Sequence, residues 1–157
     1  MIVLSHFHVS PLLTARREGR DTVTTSLDLG LTQSEVTLRS EGVVFPDGQH
    51  LTWGCIEEMS QNEVTCFLVE GNAAEKVQFF SPNLNLFYSL MPTERAPTML
   101  VSCIPMHRIK GIDPHEDTLR KMRTIAPVTG RVLDTATGLG YTAIEADRKS
   151  TRLNSSH

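Results

Sequence analysis

The amino-acid sequence predicts an α+β fold, in which a β-rich N-terminal domain, sandwich or barrel-like, precedes the first helix–strand–helix unit of an α/β domain. The first observation is a series of about seven short β patterns across residues 22–104, separated by turn residues at regular spacing. The second is the change of pattern from residue 105, where a helix, a short strand, a glycine-bearing loop and another helix follow in order. We therefore predict a β-rich domain over residues 1–104 and an incomplete second domain over residues 105–146.

The first 21 residues give no clear pattern of secondary structure but contain two groups of polar side chains. His6 and His8 could share one face of a strand. No third ligand accompanies them, and we predict no metal site in the chain. A small basic cluster follows, for which a solvated loop is favoured over contact with RNA phosphates; it consists of Arg16, Arg17 and Arg20.

The β patterns alternate apolar and polar residues. Over residues 34–40, Val36 and Leu38 fall on one face, as in a half-buried strand. The turn sequence Pro-Asp-Gly at residues 46–48 predicts a hairpin, and Trp53 at its end is predicted to anchor the core rather than to stack on a nucleobase. Further strands are expected at residues 22–29, 43–45, 51–53, 63–70, 76–80 and 98–104, a strand or short helix at 84–90, and a short helix at 55–60.

A longer helix is predicted from residue 114 to about residue 125. Asp113 is a favourable N-cap, Pro114 suits the first helical position, and Glu116 can reach back to complete a capping box. An apolar stripe would pack on the sheet, and the polar residues would turn away from it. The stripe consists of Leu119, Met122 and Ile125, and the polar residues are Asp117, Arg120 and Lys121.

The strongest functional signal lies in the segment after this helix. Residues 131–133 are predicted to form a short buried strand ending at Asp134. Residues 135–140 then form a loop of small residues, and a second helix begins at about Tyr141. Glycines in such a loop let the backbone approach a ligand, and the helix start offers N–H groups without intrahelical partners. This arrangement is a common way to build a nucleotide-type site.

Two spacings compete within the loop. Gly138, Gly140 and Ala143 fit G-x-G-x-x-A, so an NAD(P)- or flavin-dependent oxidoreductase is one alternative. Asp134 argues against it, because a carboxylate there would repel a pyrophosphate, and the acidic residue of dinucleotide sites lies about 20 residues further on. The competing frame is D-x-A-x-G-x-G, in which Asp134, Ala136, Gly138 and Gly140 occupy alternate positions.

The D-x-A-x-G-x-G frame resembles motif I of the class I S-adenosylmethionine-dependent methyltransferases, usually two hydrophobic residues followed by (D/E)-x-G-x-G-x-G. Ala136 stands where the first glycine of the motif usually lies. The chain as a whole resembles an uncharacterised group of these enzymes with a β-rich N-terminal domain. The resemblance implies S-adenosyl-L-methionine as the cofactor, with contacts from Asp134, Thr135, Ala136, Gly138, Gly140 and Tyr141.

The resemblance also implies that residues 105–146 begin a Rossmann-like α/β methyltransferase domain that is truncated just after motif I. We expect the parent protein to transfer methyl groups and this fragment to be inactive, because further strands would supply the remaining contacts. No catalytic residue is identified. His107 and Arg108 precede the first helix and could face the pocket of the complete protein, but a loop histidine beside a surface arginine is the favoured interpretation. The oligomeric state and the methyl acceptor, whether RNA or a small molecule, are left open.

Composition limits the other classes of function. The net charge of −3 gives no general attraction to nucleic acids or membranes, and no apolar run is long enough to cross a bilayer. Three widely spaced cysteines without C-x-x-C indicate reduced thiols and a cytoplasmic protein. A β-domain that binds RNA or a protein partner is the remaining alternative. Residues 147–157, DRKSTRLNSSH, resemble a translated sequencing adapter and are predicted to be a non-native or disordered tail.

Overall fold

The structure, a computed structural model, describes the backbone of residues 1–154 and the side chains of residues 1–148. Within this range the chain forms eleven short strands and four helices. In chain order they are β1 (Ile2–Leu4), α1 (His6–Arg17), β2 (Thr22–Thr25), β3 (Ser34–Leu38), β4 (Gly42–Val44), β5 (His50–Thr52), α2 (Trp53–Ser60), β6 (Phe67–Glu70), β7 (Ala73–Lys76), β8 (Gln78–Ser81), β9 (Leu86–Met91), β10 (Thr98–Val101), β11 (Ile104–Pro105), α3 (Pro114–Thr124) and α4 (Tyr141–Asn154).

The strands form three antiparallel sheets rather than the single sandwich or barrel that the sequence predicts. Their orders are β1-β6-β7, β2-β3-β4-β5 and β11-β10-β9-β8. Short connections account for the antiparallel pairing. The turn at residues 46–48 closes the hairpin between β4 and β5, in which Val43 lies opposite Leu51.

The hydrophobic core lies between helices α1 and α2 and the first two sheets. Leu12 of α1 and Ile56 of α2 are completely buried in it, because both short helices turn their apolar face inward. Trp53 is buried as predicted, and its Nε1 donates a hydrogen bond to the Arg39 carbonyl oxygen at 2.9 Å. The other buried members are Ile2, Leu4, Val9, Ala15, Val23, Val36, Leu38, Val43, Phe45, Leu51, Met59, Phe67 and Val69.

The third sheet lies outside this core but is joined to the first sheet through the backbone. Cys66 donates its N–H to the Leu90 carbonyl oxygen at 2.9 Å, and Val77 donates to the Cys66 carbonyl oxygen at 2.8 Å. The first of these bonds holds β9, which pairs with β10, and the first residue of β10, Thr98, is completely buried. The third sheet therefore connects the core to the segment in which the sequence predicts a site.

The prediction of a Rossmann-like helix–strand–helix unit is wrong. Residues 131–133 form no strand, and Val132 and Leu133 are 56% and 85% exposed. A strand needs neighbours to pair its backbone N–H and C=O groups, and a parallel strand is normally covered on both faces. The sheets within the described residues are antiparallel and end at β11, so no partner is available. Helices α3 and α4 instead pack against each other, joined by an irregular loop.

Helix α3 has the predicted start but a different buried face. The Asp113 carboxylate accepts hydrogen bonds from the backbone N–H groups of His115 and Glu116, and Pro114 is the first helical residue. The Glu116 side chain pairs with Arg120 instead of closing a capping box. Met122 of the predicted stripe is buried, but Ile125 is exposed. The face turned towards α4 and the site also buries Pro114, Asp117 and Thr118, so the prediction that Asp117 turns away is wrong.

The first 21 residues, which the sequence left unassigned, form β1 and α1. His6 and His8 therefore lie on a helix instead of a strand. Ser5 starts that helix, and the His8 ring Nδ1 accepts a hydrogen bond from the Ser5 backbone N–H at 3.1 Å. Burial holds the pKa of His8 below its usual value, so the ring is neutral and can accept this bond at neutral pH. The histidine thus serves as a helix cap.

Helix α4 begins at Tyr141, where the sequence predicts it, and continues to Asn154. The assignment of residues 147–157 as non-native stays a prediction, and residues 155–157 lie outside the described part of the chain. None of the helices in the described residues has the length and apolar character that crossing a membrane would require.

Candidate functional site

The loop between α3 and α4 is organised around Asp134. One oxygen of its carboxylate accepts a hydrogen bond from the Ala136 backbone N–H at 3.1 Å, and the other accepts from the Thr142 hydroxyl in the first turn of α4. These two bonds hold the pKa of Asp134 below its ordinary value, with the Thr142 bond the larger cause. An ionised carboxylate is therefore fixed beside the start of a helix.

Two glycines of the motif adopt backbone angles that other residues reach only with strain. Gly138 has φ of 55° and Gly140 has φ of 82°, both in the left-handed region. The Gly140 N–H donates to the Thr137 carbonyl oxygen at 2.7 Å, and the Gly140 carbonyl oxygen accepts from the Ile144 N–H at 2.9 Å as α4 begins. A tight turn thus leads directly into the helix.

Gly138 also lies against a histidine. A β-carbon at this position would be 3.2 Å from Nε2 of His107, which is closer than most side-chain contacts. A side chain at residue 138 would therefore require the His107 ring to shift by a few tenths of an ångström. The sequence interpretation of His107 as an ordinary loop residue did not include this contact.

His107 is itself held in place by Thr98. The buried Thr98 hydroxyl accepts a hydrogen bond from the His107 backbone N–H at 3.2 Å and lies 3.1 Å from the ring Nδ1. Burial, assisted by the nearby Lys121 ammonium, lowers the pKa of His107, and Asp117 partly opposes this. The ring is therefore neutral at physiological pH, with Nε2 directed towards Gly138.

Tyr141 ties the start of α4 to the β-rich part of the chain. Its hydroxyl donates a hydrogen bond to the Pro97 carbonyl oxygen at 2.7 Å, just before β10. Its ring is tilted against the His107 ring with centroids 5.1 Å apart. Burial raises the pKa of Tyr141 to about 12, so the phenol keeps its proton and remains a donor.

The loop, His107 and α3 enclose a cavity of about 140 Å³. Of the six predicted contact residues, Ala136, Gly138 and Tyr141 line it, whereas Asp134, Thr135 and Gly140 do not. Asp134 lies behind the lining and forms hydrogen bonds with two residues of it, Ala136 and Thr142. The other lining residues are Met106, His107, Arg108, Pro114, Asp117, Thr118, Lys121, Thr137 and Thr142.

Several residues of this cavity were missed by the sequence analysis. Asp117 and Lys121 form an ion pair of 2.7 Å at its edge, although the helical pattern places both on a solvent face. An (i, i+4) pair of opposite charges was the available signal. Thr142 could have been found as a hydroxyl in the first turn of the helix after Asp134. Thr98 gave no local signal, because it is 36 residues earlier than Asp134 in the chain.

The basic cluster at the end of α1 and just after it is engaged in contacts within the protein. Arg16 forms an ion pair of 2.9 Å with Glu57, and its guanidinium lies 4.4 Å from the centre of the Trp53 ring. Arg20 pairs with Glu18 at 2.6 Å. Among the described residues, no three His, Cys, Asp or Glu side chains are grouped so that they could hold a metal ion.

Comparisons with known proteins give one informative similarity. The chain matches no protein-family model. It is 36% identical over 106 residues to a protein described as uncharacterized, MJ1233 of Methanocaldococcus jannaschii. The aligned region covers 67% of this chain and 35% of MJ1233, so the chain spans about a third of the length of this relative.

Proposed function

We propose that this chain carries the cofactor loop of an S-adenosyl-L-methionine-dependent methyltransferase whose methyl acceptor is RNA or a small molecule. The observation that carries the proposal is the ionised Asp134 carboxylate, fixed at a loop with two left-handed glycines that leads into a helix beside a cavity. The cofactor is cationic at its ammonium and sulfonium groups and carries no phosphate. A fixed carboxylate favours such a ligand and disfavours a pyrophosphate.

The proposed role of Asp134 is to bind the ammonium group, directly or through a water. Each carboxylate oxygen already accepts one hydrogen bond, and each can accept more. Thr135, Ala136, Gly138, Gly140 and Tyr141 would place the backbone and the helix start close to the rest of the methionine and ribose portions. Methyl transfer to a nucleophile depends mainly on such positioning.

The size of the cavity supports a partial site. About 140 Å³ is well below the roughly 300–1,000 Å³ of ordinary ligand pockets. It can hold one portion of the cofactor, so groups outside the cavity would have to grip the remainder. We therefore propose that this chain does not catalyse methyl transfer by itself and binds the cofactor only weakly.

The test is a titration of the protein with S-adenosylmethionine, S-adenosylhomocysteine and NAD⁺, followed by ¹⁵N NMR and by calorimetry. We expect millimolar S-adenosyl ligands to shift the amides of residues 134–142, with no micromolar binding by calorimetry. Asp134→Asn should weaken these shifts several-fold. Asp21→Asn, which changes an exposed acid in the β-rich part, should leave them unchanged.

Three results would contradict the proposal. If NAD⁺ shifts the loop amides and the S-adenosyl ligands do not, the oxidoreductase alternative is correct. If no S-adenosyl ligand shifts residues 134–142 at millimolar concentration, the loop is not a cofactor site. Micromolar binding of S-adenosylmethionine would show that the groups present are sufficient, and the proposed weakness of the isolated chain would be wrong.

We also propose that the protein works in the cytoplasm. Cys55, Cys66 and Cys103 are all free thiols in the structure, and Cys66 is buried. A reducing compartment keeps such thiols unpaired. Alkylation of the three thiols in denaturing extracts prepared without reductant would detect them, because unfolding exposes the buried Cys66. A denatured protein that resists alkylation until it is reduced would contradict this placement.

A further inference from the structure

A second cavity lies on the other side of Tyr141. Its volume is about 530 Å³, within the usual range for small-molecule sites. It is enclosed by the loop at residues 28–31, the link at residues 94–97, and the first two turns of α4, with His115 of α3 at its edge. The Tyr141 side chain contributes to the walls of both cavities.

One wall of this cavity is fixed before any ligand binds. Asp28 accepts hydrogen bonds from the backbone N–H groups of Leu31, at 3.0 Å, and Thr32, at 2.8 Å, and from the Thr32 hydroxyl at 2.6 Å. Leu29, between them, has φ of 58°, which is uncommon for leucine. Such a conformation persists only where its surroundings hold it, so the loop is pre-organised.

The walls combine apolar side chains with one buried carboxylate. Leu29, Leu31, Pro97 and Ile144 supply the apolar lining. Glu145 also lines the cavity and is only 9% exposed. A carboxylate in such surroundings loses hydration, and a cationic partner offsets that loss.

The Glu145 carboxylate has two cationic or potentially cationic neighbours, and only Arg148 is within hydrogen-bond distance. The Arg148 guanidinium donates to its Oε1 at 2.8 Å, but the Arg148 side chain is 63% exposed and belongs to the segment predicted to be non-native. The His115 ring Nε2 is 3.9 Å from the same oxygen, beyond hydrogen-bond distance. A surface arginine held by one contact is easily displaced.

We propose that this cavity is a second ligand site, for a molecule with an apolar body and a protonated amine. The apolar body lies against Leu29, Leu31 and Ile144, and the amine donates to the Glu145 carboxylate in place of Arg148. The site does not depend on the methyltransferase proposal. Tyr141 is the one proposed cofactor contact that also lines it, and neither Asp134 nor the glycine loop is part of its lining.

The test uses three probes of nearly equal size that differ in charge. Benzylamine is cationic at neutral pH, benzyl alcohol is neutral, and benzoate is anionic. Binding to the whole chain is followed by NMR through the backbone amides of residues 28–31, 94–96 and 144–145. We expect benzylamine to bind about tenfold more tightly than benzyl alcohol, and benzoate to bind least.

Variants then assign the charge preference to one carboxylate. Glu145→Gln should weaken benzylamine about tenfold and leave benzyl alcohol unchanged, which also shows that the cavity is intact. Arg148→Ala should tighten benzylamine severalfold, because it removes a competing cation. Glu94→Gln is the matched control, since Glu94 lines the same cavity but is exposed; its effect should be less than twofold.

The proposal is overturned if the wild-type protein binds benzoate as tightly as benzylamine, or binds none of the probes at these residues. It is also overturned if Glu94→Gln weakens benzylamine as much as Glu145→Gln, because the preference would then be a general field effect. If Glu145→Gln unfolds the protein, the wild-type order of the three probes and the Arg148→Ala variant still decide the question.

Discussion

The packing of β4 against β5 gives a sharp prediction about stability. Gly42 is buried and lies opposite Thr52 in the β4–β5 pair. A β-carbon at residue 42 would be 2.0 Å from the Leu51 carbonyl oxygen and 2.9 Å from the Thr52 α-carbon. Both contacts are to backbone atoms, so no side chain can move aside. Gly42→Ala must therefore push the two strands apart.

The size of the effect follows from that displacement. A normal carbon–oxygen contact needs more than about 3 Å, so the strands must separate by about 1 Å. This weakens about two ladder hydrogen bonds, at about 1 kcal/mol each, and disturbs the core beneath Val43 and Leu51. We expect Gly42→Ala to lower the free energy of unfolding by about 3 kcal/mol, which corresponds to a fall in Tm of roughly 6–12 °C.

Gly54→Ala is the control, with the opposite expected sign. Gly54 is exposed in the first turn of α2, and its β-carbon would have no neighbour closer than 3.9 Å. Alanine there should raise stability by up to about 1 kcal/mol, because it is a better helix former. Urea unfolding followed by circular dichroism and Trp53 fluorescence measures both. The reasoning is refuted if Gly42→Ala is as stable as the wild type, or if both alanines destabilise equally.

Two further predictions concern the walls of the cavities. Asp28→Ala should lower the free energy of unfolding by about 1 kcal/mol at pH 7, with Asp21→Ala as a neutral control. Burial alone would raise the pKa of Asp28, but the hydrogen bonds to its carboxylate outweigh burial and hold that pKa below its usual value. The stabilisation is therefore present above the pKa of the unfolded state, near about 4, and is lost as pH falls through the lower pKa of the folded state. The urea midpoints of wild type and Asp28→Ala should converge in acid. A difference between the two midpoints that widens in acid would contradict this. Thr98→Val should cost about 2 kcal/mol in urea unfolding and shift the loop amides around Gly138, because it removes the buried hydroxyl that bonds the backbone N–H and the ring Nδ1 of His107. The control is Thr124→Val, which removes a hydrogen bond to the Arg120 carbonyl oxygen on the exposed side of α3 and should cost less than about 0.5 kcal/mol. Equal losses of stability in Thr98→Val and Thr124→Val would show that Thr98 does not position His107.

Local signals in the sequence were reliable where a few neighbouring residues determine the structure. The Asp113 cap, the Pro114 start of α3 and the hairpin turn at residues 46–48 were all predicted, because caps and turns depend on side chains within three or four positions. The burial of Trp53 was also predicted, since large aromatic residues are usually buried.

The failures share a dependence on distant partners. Residues 131–133 have the apolar composition of a buried strand, but a strand forms only when another strand accepts its hydrogen bonds. The buried face of α3 was misassigned because the ion pair between Asp117 and Lys121 lets a carboxylate lie inward. In the candidate site, the contact between Gly138 and His107 joins positions 31 residues apart, which no local pattern encodes.

The hydrogen bond from Tyr141 to Pro97 links the start of α4 to the third sheet. The Tyr141 phenol stays protonated throughout the physiological pH range, so its hydrogen bond to Pro97 does not depend on pH there. The same ring faces one cavity on each side. A ligand in either cavity would therefore contact the same side chain, whose hydroxyl is held by the Pro97 carbonyl oxygen.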